Sequence, residues 1–185
     1  TNIVGINRLF RHVPESATYE SADEQIEQSD NPATAASWEV MDGQSLPDLS
    51  IANWDGGNEQ HENYDGEFID AAAELGIHDA GNSTALGWGR LHSDLDKSLY
   101  IGRFGLENLL MAPIYNGGGE VMYYENIAQA VGVDANEETM GIAWTDYDGN
   151  KDENENEDIV QVTYDGHVRL YQNDSKLIDL CAEEE

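Results

Sequence analysis

Short apolar runs separated by polar turns dominate the hydrophobic pattern of this chain. The clearest runs cover residues 49–52, 99–102, 159–162 and 168–171, and glycine, aspartate and asparagine cluster between such runs. Runs this short, bounded by turn residues, are typical of β-strands. Asp165-Gly166 separates the last two runs and predicts a turn between two strands. The pattern therefore predicts an all-β fold.

The tryptophans reveal a long internal period. Trp38, Trp88 and Trp144 are 50 and 56 residues apart, and each is preceded by a segment that begins with an aromatic residue. We therefore predict one repeat domain over residues 1–185, with repeats at approximately 8–65, 66–121 and 122–177 and an acidic tail at 178–185. A period near 56 with up to four strands indicates a propeller blade or a β-solenoid rather than a helical array.

The net charge of the chain limits the classes of molecule that it is expected to bind. It has 38 acidic and 8 basic residues and a net charge of −30. Phosphates would be repelled, so neither nucleic acid nor an anionic membrane surface is an expected partner. No apolar stretch reaches the ~18–20 residues that span a bilayer, so membrane insertion is not expected.

Two explanations of this acidity compete. High net charge is a signature of intrinsic disorder. A carboxylate-coated folded protein from a salty habitat is the alternative, since salt screens self-repulsion. Patterned apolar runs, four tryptophans and nine tyrosines favour the folded, halophilic protein.

The segment after Trp144 carries the most specific chemistry. Asp146, Asp148, Asn150 and Asp152 occupy every second position of an acidic loop. Side chains at such spacing can converge on one point, and Ca²⁺ binds six to eight oxygen ligands. The loop therefore predicts a calcium site. A solvated acidic turn is the alternative in so acidic a protein.

The third repeat contains a set of glycine, aromatic, acidic and apolar residues that runs from Gly141 and Trp144 through Asp146, Tyr147 and Asp148 to Ile159, Leu170, Tyr171 and Asn173. With these residues it resembles the VCBS/FG-GAP type of repeat, and it is most similar to the cartilage acidic protein family. The resemblance covers about 165 residues and weakens toward the first repeat. It implies β-propeller blades of four strands with calcium loops, in an extracellular or surface protein. Three blades cannot close a ring, so the chain would be a partial propeller, a fragment, or one part of a ring or array that other chains complete.

The resemblance assigns metal ligands in the same loop. It places Asp146, Asp148, Asn150 and Asp152 at ligand positions, and its closing aspartate falls on Asp158. Asp158 comes four residues later than in the family pattern. Glu157 is an alternative closing ligand, since it is twelfth from Asp146, the position of the bidentate glutamate in an EF-hand loop.

Aromatic and histidine residues give weaker signals. We expect the three repeated tryptophans to lie in the core between blades, although a tryptophan platform for sugars is an alternative. Trp54 and His61 lie in a glycine-rich segment that reads as an exposed loop. The chain has none of the common sequence motifs of hydrolases, metalloproteases or nucleotide-binding enzymes.

These signals together predict a non-enzymatic, calcium-stabilised module for adhesion or assembly. Its expected location is extracellular, on a cell or virion surface, and its expected partners are other protein chains. The alternative is a carbohydrate-binding or carbohydrate-processing module on a propeller scaffold, with glycans as ligands.

Overall fold

The computed structural model describes residues 7–27, 29–41, 45–92, 97–149 and 156–173, and it is built of antiparallel β-sheets. The all-β prediction is confirmed. A hairpin of β1 (Phe10–Val13) and β2 (Thr18–Ser21) comes first, followed by a 3-10 turn at Asp23–Gln25. The first sheet then contains β3 (Ala33–Glu39), β4 (Asp48–Asn53), β5 (Glu59–Tyr64) and β6 (Glu67–Asp70), in that order.

The second sheet repeats this four-strand meander, and the third contains the equivalents of its first three strands. The second contains β7 (Ser83–Gly89), β8 (Ser98–Arg103), β10 (Leu109–Tyr115) and β11 (Val121–Asn126). The short strands β9 (Leu106–Glu107) and β12 (Asn136–Glu137) pair separately, and helix α1 spans Ala128–Val131. The third sheet contains β13 (Thr139–Thr145), β14 (Asp158–Thr163) and β15 (Val168–Tyr171).

Turn residues fix the hairpins that the sequence indicates. Asp65 and Gly66 join β5 to β6, and both have positive φ angles, 56° and 98°. That backbone belongs to the tight hairpin turns whose twist matches the flanking strands, and glycine adopts it without strain. The predicted turn at Asp165-Gly166 likewise joins β14 to β15. The four predicted strand segments all lie within β4, β8, β14 and β15.

The three tryptophans occupy the same register in their sheets. Trp38 pairs with Leu49, Trp88 with Leu99 and Trp144 with Ile159. The first strand of each sheet also carries a register irregularity near its start. The sheets thus share one local plan, while the division into repeats 8–65, 66–121 and 122–177 stays a prediction.

Each later sheet packs through its tryptophan against the sheet before it. Trp88 donates its indole N–H to Ser50 Oγ of the first sheet at 2.8 Å. Trp144 donates to the Gly87 carbonyl of the second sheet, also at 2.8 Å. Thr34 Oγ1 donates to the Ser83 carbonyl at 2.7 Å, and Thr84 makes the corresponding bond to the Thr139 carbonyl. These bonds hold the three sheets in one stack.

Apolar side chains fill the two spaces between the sheets. Between the first and second sheets they form a cluster around Trp88, Leu99 and Ile101. Between the second and third they form a cluster around Tyr100 and Leu110, which Ile159 and Trp144 complete. The Tyr100 hydroxyl donates to the Val133 carbonyl at 2.7 Å. Burial raises the pKa of this phenol well above its usual range.

Two residues differ from the sequence-based expectation. Trp38 is 49% exposed, whereas Trp88 is only 8% exposed, so the first tryptophan does not lie between sheets. His61 is 1% exposed and belongs to β5, so the expected glycine-rich loop is partly a strand. Trp54 is exposed, as expected.

Among the described residues, no helix has the length and apolar character needed to cross a bilayer. The predicted acidic tail at 178–185 lies outside the described residues.

Candidate metal centre

The two long strands of the third sheet bring the candidate ligands together. Strand β13 ends at Thr145 and β14 begins at Asp158, and these two residues pair across the sheet. The loop between them therefore leaves and rejoins the sheet at one point. Asp146 and Asp148 lie at its start and Asp158 at its end, although they are up to twelve positions apart in sequence.

Three carboxylates meet at this point. Asp146, Asp148 and Asp158 each place one carboxylate oxygen within 4.8 Å of the others. Asp158 is buried, Asp146 is half-buried and Asp148 is exposed. Carboxylate oxygens are the ligands that hard cations such as Ca²⁺ and Mg²⁺ prefer. The arrangement can therefore act as a site for a hard cation.

Asp146 supplies an independent indication of a missing partner. Its Oδ1 atom is buried, and no hydrogen-bond partner for it lies among the described residues. A buried polar atom without a partner costs about 1–3 kcal/mol, and a charged one costs more. A cation between the carboxylates would satisfy this oxygen.

Asp158 also has a structural role that does not need an ion. Its Oδ2 accepts the Tyr147 backbone N–H at 2.9 Å, and its Oδ1 accepts the Asn173 N–H at 2.8 Å. Each oxygen keeps a lone pair with which to bind a cation. The carboxylate therefore joins the start of the loop to the segment that follows β15, and this connection does not need an ion.

The first sheet contains the same structural aspartate. Asp48 begins β4, as Asp158 begins β14, and accepts the Met41 N–H at 3.0 Å and the Asn63 N–H at 2.9 Å. Sequence reasoning did not assign this role to either aspartate. The available signal was the recurrence of aspartate at the first position of a strand, directly before an apolar run.

The remaining predicted ligands have different positions. Glu157 accepts the Arg90 backbone N–H through Oε2 at 2.8 Å and donates its own N–H to the Arg90 carbonyl at 2.9 Å. Its carboxylate therefore engages the second sheet. Asp148 Oδ2 accepts a hydrogen bond from Gln172 at 2.5 Å. Asn150 and Asp152 lie outside the described residues, and the ligand role of all six predicted residues stays a prediction.

The second sheet has different residues at the corresponding positions. Arg90 follows Trp88 at the interval at which Asp146 follows Trp144, and Ser98 begins β8 where Asp158 begins β14. A cation and a neutral hydroxyl thus replace two of the three carboxylates. Within the described residues, the cluster of three acidic groups occurs in the third sheet.

A second buried polar group lies in the first sheet. His61 Nε2 and Glu59 Oε2 are 2.9 Å apart, and Asn53 donates to Glu59 Oε1 at 2.8 Å. Burial alone would raise the pKa of Glu59. Hydrogen bonds from His61, Ser29 and Asn53 together lower the pKa by more than burial raises it, so the net shift is downward. The group is buried, and His61 Nδ1 and Asn53 Oδ1 have no hydrogen-bond partner among the described residues.

The chain matches no protein-family model, and no curated protein matches it.

Proposed function

We propose that the chain is a non-enzymatic, cation-stabilised module for assembly or adhesion on an extracellular, cell or virion surface. The observation that carries the proposal is the buried, unpartnered Asp146 Oδ1 beside the carboxylates of Asp148 and Asp158. A bound cation would neutralise this group and order the loop between β13 and β14. Its role would be structural, since binding to the folded state alone stabilises that state.

Calcium is the cation that this chemistry favours. The clustered donors are all oxygens, which Ca²⁺ and Mg²⁺ prefer, whereas Zn²⁺ favours nitrogen and sulfur ligands. Ca²⁺ tolerates irregular geometry and seven or so ligands, and a long acidic loop can supply them. Asn150 and Asp152 are proposed as further ligands. The exposure of Asp148 favours a weak site, of the kind that millimolar extracellular calcium fills.

The three sheets are proposed to be β-propeller-like blades. Their common meander order and the common register of their tryptophans support this interpretation. So does the resemblance of the third repeat to VCBS/FG-GAP sequences. The blades would form part of a ring or stack that other chains complete.

Thermal unfolding tests the cation. In concentrated KCl, we expect calcium to raise the melting temperature of the wild type relative to a chelator. At a calcium concentration about a hundred times Kd, binding contributes roughly 2.7 kcal/mol. For a chain of this size that corresponds to a rise of roughly 5–10 °C. The rise should disappear in Asp148→Ala, because one clustered carboxylate is lost.

Asp55→Asn is the matched control, since Asp55 is an exposed aspartate in the first sheet's turn and lies outside the cluster. It should keep the full calcium effect. If the wild type melted at the same temperature with calcium and with chelator, the acidic loop would be a solvated turn. The proposal of a structural metal would then be wrong.

Carbohydrate binding is the second candidate, and one observation favours it. Trp54, Phe104 and Tyr164 form a row of rings across the three sheets, with centroids 5.3 Å and 6.1 Å apart. Trp54 and Tyr164 are exposed. Aromatic rings exposed in a row can pack against the apolar faces of sugars.

A further inference from the structure

The two contacts between sheets follow one rule. In each, the tryptophan-bearing face of a later sheet packs against the opposite face of the sheet before it. The residue just before each tryptophan, on its sheet's opposite face, is small: Ser37, Gly87 and Ala143. Gly87 provides the carbonyl that accepts the Trp144 indole. A stack built by this rule has two different outer faces.

The first outer face is the tryptophan face of the first sheet, here called the Trp38 face. Ile26 and Leu9 cover Leu49 and Ile51 on this side of the sheet. Ala36, Trp38 and Val40 remain exposed beside them. No acceptor for the Trp38 indole N–H lies among the described residues. Trp38 therefore has the register of Trp88 and Trp144 without the sheet that each of those contacts.

The second outer face belongs to the third sheet and is here called the valine face. Val160 pairs with Ala143 on one side and Leu170 on the other, and Val162 pairs with Val168. Directly paired residues share a face, so these side chains form one apolar strip. Val168 is 66% exposed, and Val162 and Leu170 are exposed as well. This strip is unusual on a chain with a net charge of −30.

We propose that a second copy of this chain covers the valine face with its Trp38 face. The contact would continue the rule that already joins the three sheets, with Trp38 packed on Ala143 as Trp144 packs on Gly87. The proposal names the partner for the assembly role above and rests on that role. Because the two faces differ, the contact is heterologous and generates a ring or an open stack.

The contact between copies would be weaker than the contacts within the chain. Thr34 and Thr84 each donate a hydrogen bond to the next sheet, whereas Met140 stands at the corresponding position of the third sheet. Methionine has no hydroxyl to donate, so this bond would be absent. Repulsion between two acidic chains also opposes association, and concentrated salt screens it. Association is therefore expected to be reversible and to require salt.

Sedimentation velocity in concentrated KCl tests the proposal with two variants. The wild type should show a mass that rises about twofold or more with protein concentration. Trp38→Ser removes the Trp38 face and Leu170→Glu places a charge on the valine face, so each alone should stay monomeric. Mixed together, they should form a one-to-one dimer, because each variant retains the face that the other lacks. Met122→Ser changes an exposed residue on β11, away from both faces, and should associate like the wild type.

Trp38 also contacts Phe68, with ring centroids 5.7 Å apart, so Trp38→Ser could lower stability. A dimer in the mixture would itself show that this variant keeps a folded third sheet. A monomeric wild type at every concentration would overturn the proposal, as would variants that associate like the wild type. Association that begins only after residues 174–185 are removed would show that this segment covers the valine face, and would also overturn it.

The two proposals can fail separately. A calcium-dependent melting temperature with no self-association would keep the cation and exclude a second copy as the partner. Self-association without any effect of calcium on the melting temperature would keep the second copy as the partner and exclude the structural cation.

Discussion

Among single residues, Asp158 combines two tasks that are often separate. It accepts two backbone N–H groups, from Tyr147 and Asn173, and it belongs to the cluster with Asp146 and Asp148. Asp48 also accepts two backbone N–H groups, but among the described residues it belongs to no such cluster of acidic side chains. The structural role is therefore shared by two sheets, whereas the cluster is confined to one.

This difference predicts how the aspartates respond to mutation. In chelator, Asp158→Ala should lower the free energy of unfolding by about 2–4 kcal/mol, because a buried and a part-buried backbone N–H group lose their acceptor. Asp48→Ala should cost a similar amount. Asp148→Ala should change the free energy by less than about 0.5 kcal/mol in chelator, since the side chain is exposed. Denaturant unfolding with chelator measures all three.

The control is the same series in calcium, where Asp148→Ala should also become destabilising relative to the wild type. An Asp158→Ala variant as stable as the wild type in chelator would contradict the structural role of its two hydrogen bonds.

For single residues, the sequence predicts some members of the candidate metal site and misses the environment of others. Spacing predicted Asp146 and Asp148 as ligands of one site and the family resemblance added Asp158, and the structure brings these three residues together. It could not separate Glu157 from Asp158, because that depends on Arg90 in the preceding sheet. The burial of His61 depends on Glu59 and its partner Ser29, 30 residues upstream of Glu59, and a local pattern does not contain that information.

Among the strands, β7 and β13 meet through glycine and tryptophan. A Cβ atom at Gly89 would lie 2.0 Å from Trp144 Cδ2, far inside contact distance. The close approach lets the Trp144 indole reach the Gly87 carbonyl. The glycine is thus required by packing between sheets rather than by its own backbone angles.

Gly89→Ala should therefore destabilise the chain by about 1–3 kcal/mol, because the methyl group displaces Trp144. Gly141→Ala is the matched control on β13, since a Cβ there would lie 3.8 Å from the nearest atom of Val162. It should be nearly neutral. Denaturant midpoints measure both, and equal midpoints for the two variants would contradict the packing of Trp144 on Gly89.

Strands were the most predictable elements. Apolar runs at 49–52, 99–102, 159–162 and 168–171 are strands because branched and aromatic side chains suit a half-buried pleated surface. Strand β5, with the sequence EQHENY, gave no such signal, because it is buried with polar side chains. Glu59 bonds to His61 within the strand, whereas Gln60 bonds to Ser50 of the neighbouring strand. The exposure of Trp38 was equally unpredictable, because it depends on which sheets lie beside it.

Over the whole molecule, self-repulsion is the dominant electrostatic fact. A net charge of −30 on 185 residues destabilises any compact state in dilute buffer. The eight basic residues can neutralise only a fraction of it. Several pair with nearby carboxylates, as Arg103 does with Asp79 at 2.6 Å and Lys97 with Glu39 at 2.6 Å.

The melting temperature should therefore rise steeply as KCl is added to a calcium-free solution. The rise should flatten near molar salt, where the screening length falls to about 3 Å. Sucrose at matched osmolality is the control, since it favours compact states without screening charge. Full stability in dilute buffer without divalent ions would contradict a halophilic design.

The direction of the stack has a consequence for how such a chain can change in length. The second and third sheets each present a tryptophan to the sheet before them, and the first and second sheets each present a surface that accepts it. A gene duplication that inserts another copy of the middle sheet would meet matching surfaces on both sides. The chain could then gain a sheet without any new contact surface. Evolution can therefore change the number of sheets one whole sheet at a time.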